Sequence, residues 1–301
     1  MKNYHLGLDV GGTNLAAAVI DNDFRILARK SIPAGAHRSW QEITASMAEV
    51  SLAVVNEAGV SLNDVECWGI GMPSCIDKRT DLLVNAHQFG WKNVPIKEWL
   101  RPLLPLEVRI DNDANCAAYG EALAGAAKGR SNVVMLTLGT GVGSGIIIDG
   151  RIFSGADGMG AEIGHTNLVY GGRRCNCGMN GCIEAYCSAT ALIARGREVL
   201  GDACKDAEYI FNLAKSGETR SLAIVDEYAE YLAAALSSAA TIFRPEILIL
   251  GGGVANAGKF LLDKVNAVLP EVTYNGKSIG VPPVVRATLG NDAGLIGAAF
   301  L

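Results

Sequence analysis

The chain has 301 residues, enough for two domains of ordinary size with buried cores. Hydrophobic residues make up 50% and charged residues 19%, which excludes an intrinsically disordered chain. A net charge of −5, with no basic run and no basic patch interleaved with aromatics, excludes an electrostatic nucleic-acid surface. Asp9 interrupts the only early apolar run, so no signal peptide is expected. No segment approaches the ~18 continuous apolar residues of a membrane span. A cytoplasmic location is expected, where thiols stay reduced.

The first third opens with short apolar strands at 4–10, 15–20 and 25–31, punctuated by turns. A helix follows over 40–57 and ends near Gly59. Strands recur at 65–70 and 108–111, with a helix over 114–124. A second block begins at Val133 with the same order of strand, glycine turn and strand, the return strand being 144–148. Asp149-Gly150 is a hairpin turn. The spacing then predicts helices over 190–200, 207–215 and 221–243. Residues 247–250 read as a buried strand, followed by a helix over 259–269, a strand at 284–287 and a terminal helix from Asp292.

Each block therefore starts with a hairpin whose tip is rich in glycine and threonine. The first tip is Asp9-Val10-Gly11-Gly12-Thr13-Asn14 and the second is Leu138-Gly139-Thr140-Gly141-Val142-Gly143-Ser144-Gly145. A duplication explains the repeat and places a site in the cleft between the halves. Such tips let backbone amides approach phosphate oxygens, or serve as plain tight turns; either tip alone leaves both readings open. Asp9, at the end of the first strand, is placed to hold magnesium against phosphates. A dinucleotide-fold reading of Gly139-x-Gly141 fails, because Ile146-Ile147-Ile148 continue as strand where a helix is required. Gly251-Gly252-Gly253 either passes a flat base or ribose or simply turns strand into helix.

Asp111-Asn112-Asp113-Ala114-Asn115 joins a strand to a helix. A cap needs one such residue, and here four of five are acids or amides. Asp113 at the mouth of the strand is a candidate general base. Nothing local marks Asn85 as functional.

Of eight cysteines, Cys67, Cys75, Cys116, Cys187 and Cys204 are scattered and read as small core residues. Cys175, Cys177 and Cys182 are clustered, and with His165 they supply a full ligand set for tetrahedral zinc. Disulfides are the alternative, which an odd count of three and a reducing compartment disfavour. Glu162 and Glu184 bracket the cluster.

Together these pieces resemble the bacterial sugar kinases of the ROK family. The carriers are 9–14, Gly71-Met72-Pro73, Asn112 to Asn115, 138–145, Glu162-Ile163-Gly164-His165, the Cys175/Cys177/Cys182 loop with Glu184, and 251–254. The resemblance implies the two-domain, ribonuclease H-like α/β fold of hexokinase, actin and the heat-shock ATPases. It divides the chain into a small N-terminal domain, 1–112, completed by the helix at 291–301, and a larger domain, 113–290, with the zinc loop. It implies ATP-dependent phosphorylation of a sugar 6-hydroxyl, with Asp113 taking the proton. ATP and magnesium would be held by Asp9, Gly11, Gly12, Thr13, Asn14, Thr140, Gly141, Gly252 and Gly253. Asn112, Glu162, His165 and Glu184 would hold sugar hydroxyls, with Asn85 as a further contact. Zinc on His165, Cys175, Cys177 and Cys182 would be a structural support.

Where the family often reads Gly-x-Pro-Gly-x-Val-Asp, this chain carries Ser74. Glucose is the first expectation; N-acetylmannosamine, N-acetylglucosamine, mannose, fructose and allose remain alternatives. The family's sugar-sensing repressors carry an added N-terminal DNA-binding segment, for which a first strand at Tyr4 leaves no room. A nucleotide-driven binding module without transfer would leave Asp113, Glu162 and His165 without a task. A homodimer or homotetramer is expected by analogy.

Overall fold

The computed structural model describes residues 2–35 and 37–301. A meander of three antiparallel strands, β1 (Tyr4–Val10), β2 (Asn14–Asp21) and β3 (Ile26–Pro33), leads into α1 (Trp40–Glu57). Ser39 caps α1 in a reciprocal box with Glu42. Then come β4 (Val65–Met72), three short strands β5 (Cys75–Asp77), β6 (Leu82–Ala86) and β7 (Trp91–Val94), and α2 (Ile96–Leu100). β8 (Val108–Asn112) feeds α3 (Asp113–Ala124) directly. The second block is β9 (Val133–Leu138), β10 (Val142–Ile148) and β11 (Arg151–Ile152), then α4 (Glu184–Cys187), α5 (Ala189–Leu200), α6 (Ala207–Lys215) and α7 (Thr219–Phe243). β12 (Ile247–Gly251), α8 (Lys259–Val272), α9 (Gly276–Ile279), β13 (Val284–Arg286) and α10 (Asp292–Ala299) complete the chain.

The two large sheets repeat one topology. Their orders are β3-β2-β1-β4-β8 and β11-β10-β9-β12-β13. In each, a hairpin meander sits beside two strands that pair in parallel. That is the repeat expected from the two glycine-rich hairpins. The expected elements are present, and the third sheet, β5-β6-β7, is an addition to them. Among the described residues, no helix is long and apolar enough to cross a membrane.

The chain forms two compact units. One holds Met1–Gly129, Gly145–Ala161 and Asn291–Leu301; the other holds Arg130–Ser144 and Glu162–Gly290. This differs from a boundary at 112/113, because α3 stays with the first unit. It lies against α10 so closely that a β-carbon on Gly297 would strike the Cys116 carbonyl, and one on Gly120 the Ala293 carbonyl. Leu6, Leu8, Val10, Trp68, Ile70 and Met72 fill the core of this unit. Gly297→Ala should therefore lower unfolding free energy by about 3 kcal/mol, the upper end for overpacking, since backbone rather than a movable side chain blocks the new methyl. Urea titration reads this, and a change under about 1 kcal/mol would show that the helix seam can open.

Candidate active site and metal centre

In the first unit, the β1–β2 turn is closed by the Gly11 amide donating to the Asn14 carbonyl at 2.8 Å. Asp9, Gly11, Gly12, Thr13 and Asn14 all line one cavity of about 290 Å³. Arg29, Ser31 and Asn291 share its wall, and the Arg29 guanidinium pairs with Asp292 at 2.5 Å. Sequence reasoning missed these three, because only β2–β3 pairing and α10 packing bring them to the turn.

Asp113 is the first residue of α3. Asn112 caps the helix, accepting from the amides of Ala114 at 2.8 Å and Asn115 at 3.3 Å. Its Nδ2 donates to the Ser74 carbonyl at 3.4 Å. Asn85 sits opposite Cys75 in the β5–β6 ladder, so its strand borders the same loop. The Ser74 hydroxyl turns back onto the Met72 carbonyl at 3.3 Å. One Asp113 oxygen accepts from the Ala114 amide at 2.9 Å.

Burial pushes the Asp113 carboxyl above the usual carboxylate range. Burial, and then the negative charge of Asp113, push Asp9 up to about 6. Two carboxylates in repulsion invite a divalent cation, which suits a site that handles phosphate. The folded state binds more protons than the unfolded one between pH ~4 and 6, so Asp9 costs stability as pH rises through that window. In metal-free buffer at pH 7, Asp9→Asn should stabilise the protein by at most about 3 kcal/mol. The gain should vanish below pH ~4, where the carboxyl is neutral in both states. Denaturant melts at the two pH values check this; an equal gain at both would remove charge as the cause.

In the second unit, the β9–β10 tip is pinned from several sides. The Gly139 carbonyl accepts from the Ala189 amide and the Thr140 carbonyl from the Thr190 hydroxyl, both at 2.8 Å. The Val142 amide donates to Glu184 Oε2 at 3.0 Å. That carboxylate fills the space where a β-carbon on Gly141 would sit. Gly252 has a φ of 78°, and a β-carbon there would lie 2.5 Å from the Leu138 carbonyl oxygen. The two glycine segments are thus neighbours. Gly253, Val254 and Asn256 line a cavity of about 240 Å³ with Glu208, Phe211 and Lys215 of α6.

The turn bearing Glu162 and His165 packs on β10, where the Ile163 amide donates to the Ser144 hydroxyl at 2.9 Å. His165, Cys175, Cys177 and Cys182 bring four donor atoms within 4.8 Å of one another. His165 Nδ1 lies 3.8 Å from Cys175 Sγ, and Cys177 Sγ lies 3.6 Å from Cys182 Sγ. A tetrahedron with metal–donor bonds of 2.0–2.3 Å has edges of roughly 3.3–3.8 Å, so the set fits zinc. A disulfide of about 2.05 Å does not fit these distances, and the cysteines are free. Cys175 Sγ also donates to Glu184 Oε1 at 3.3 Å, linking the cluster to the glycine tip.

A profile of the ROK family matches residues 5–301. The chain belongs to the ROK family. It is 34% identical to a glucokinase of Halalkalibacterium halodurans, over 99% of this chain and 94% of that protein. The crystal structure of a ROK hexokinase from Thermus thermophilus superposes with a TM-score of 0.87 at 33% identity, covering 98% of this chain and 96% of that one. A ROK glucokinase from Streptomyces griseus, solved in complex with glucose and AMPPNP, gives 0.82 at 31% identity, over 99% and 98%. The α/β architecture is therefore that of the ROK sugar kinases.

Proposed function

We propose that this ROK protein is an ATP-dependent hexose kinase that transfers the γ-phosphoryl group to the 6-hydroxyl of a sugar, glucose first. The observation that carries the reading is Asp113: a half-buried carboxylate, raised by desolvation, at a helix start beside Asp9 and the β1–β2 turn. Phosphoryl transfer needs a positioned hydroxyl and neutralised charge more than covalent help. Asp113 accepts the hydroxyl proton. Asn112, Asn85, Glu162, His165 and Glu184 hold the other hydroxyls. The amides of Gly12, Thr13 and Asn14, on the turn that Gly11 closes, and the tip at Thr140 and Gly141 face phosphates. Asp9 holds magnesium, which neutralises charge on the transferred group. The cavity beside Gly252 and Gly253 takes the base of the nucleotide.

Zinc on His165, Cys175, Cys177 and Cys182 supplies rigidity rather than Lewis acidity. As a zinc ligand Cys175 is a thiolate and no longer donates, which leaves Glu184 Oε1 to a sugar hydroxyl. Its Oε2 meanwhile keeps the Val142 amide, so one side chain serves both the sugar and the glycine tip.

A coupled assay for ADP release across glucose, mannose, fructose, allose, N-acetylglucosamine and N-acetylmannosamine tests the reading. Sugar-dependent ADP, fastest with glucose, is expected. ATP hydrolysis that yields no phosphorylated sugar on any of the six would overturn it.

A further inference from the structure

Asp111 is the penultimate residue of β8, with its side chain only 6% exposed. Three donors meet its carboxylate. The Asn112 amide and Asn115 Nδ2 each donate to Oδ1 at 2.8 Å, and Lys78 Nζ donates to Oδ2 at 2.6 Å. Asn112 and Asn115 flank Asp113, so this one carboxylate fixes the turn on both sides of the proposed base. Lys78 alone of the three donors is cationic. Asp9, Asp111 and Asp113 all act on the buried Cys116 thiol, and Lys78 is the cation that opposes them there.

Lys78 is itself held in place. Its Nζ also donates to the Ser154 hydroxyl at 3.1 Å, and its amide donates to the Asp157 carbonyl at 2.8 Å. Gly158 lies against its stem, where a β-carbon would come within 2.8 Å of Cδ. The ammonium is reachable from outside, because Lys78 and Asp111 both line a cavity of about 420 Å³.

We propose that Lys78 is a positioning residue for Asp113: its ammonium neutralises buried Asp111, which keeps the 112–115 turn in the arrangement that aims the base. Without that cation the Asp111 carboxylate is drawn toward water through the cavity. It then releases the Asn112 amide and Asn115, and the first turn of α3 loosens. A misplacement of about 1 Å at a reacting group costs on the order of 100-fold in rate. The inference rests on the kinase reading given above.

The test compares Lys78→Met, Lys78→Arg and Lys78→Ala. In Lys78→Met, kcat should fall about 10- to 100-fold while the KM for ATP stays within about twofold. Lys78→Arg should recover most of the loss. In Lys78→Ala, ethylammonium should restore kcat saturably, and tetramethylammonium, which has no N–H, should not. Lys78→Gln replaces the Met variant if that one fails to fold. A wild-type kcat in Lys78→Met overturns the proposal. So does a loss that follows melting temperature alone and answers neither to arginine nor to the amine. If the wild type phosphorylates no hexose, the kinase reading falls separately. The melting temperature of Lys78→Ala then decides the clamp: a rise specific to ethylammonium upholds it, and no rise overturns it.

Discussion

Asp113→Asn should lower turnover by about 10²–10⁴-fold, the usual worth of a general base in transfer to an alcohol. The substitution keeps the shape and keeps an oxygen for the Ala114 amide, which the carboxylate holds at 2.9 Å. It removes the group that receives the proton. Binding of sugar and ATP should change only a few-fold, because the carboxamide NH2 can still donate to the hydroxyl oxygen. Stability should hold or rise, since burial disfavours the charge being removed. Wild-type kcat/KM should also fall on the acid side above the usual carboxylate range, because the ionised form is the active one and its pKa is raised. Asp9, pushed up to about 6 by burial and by Asp113, titrates with it, so the acid limb belongs to the pair. Stopped assays of the purified variant, with melting curves as control, measure all of this. Turnover within tenfold of wild type would remove Asp113 from the chemistry.

Cys182→Ser should strip the metal. Bound zinc should drop from about one ion per chain toward none, as read by elemental analysis. Unfolding free energy should fall by about 3–5 kcal/mol, the large end of single-substitution effects, where lost metal sites lie. Cys182 is fully buried and faces Cys177 Sγ at 3.6 Å, so a serine there leaves a poor ligand in a dry place. The consequence should reach the site. Freed of the cluster, His165 and Glu184 lose their fixed positions, and the β9–β10 tip loses the carboxylate that holds the Val142 amide. The KM for sugar should therefore rise more than the KM for ATP. Full zinc occupancy with an unchanged melting curve would remove Cys182 from the ligand set.

Much of this was legible in the chain because the relevant signals are local. Glycines at 11, 12, 139 and 141 between alternating apolar runs announce hairpins whatever lies around them. Three cysteines within eight positions announce a ligand set, and Asn112 announces a cap. The small sheet β5-β6-β7 was not legible. Its strands are three to five residues long, carry Asp77, Lys92 and Asn93, and are interrupted by turn residues such as Asp81, which adopts a φ of 56°. The unit boundary was missed because Gly145–Ala161 returns to the first unit after the second has begun, and no composition shift marks that return. The Lys78–Asp111 pair joins residues 33 apart in the chain, and Arg29 reaches Asp292 across 263. Only packing reveals such partners.

The most direct measurement is a crystal structure with glucose, magnesium and a non-hydrolysable ATP analogue bound together. An Asp113 carboxylate oxygen should lie about 2.6–3.2 Å from the sugar 6-hydroxyl, with that hydroxyl facing the terminal phosphorus. A carboxylate turned away from the sugar, with no water bridging the gap, would contradict a transfer that begins at Asp113.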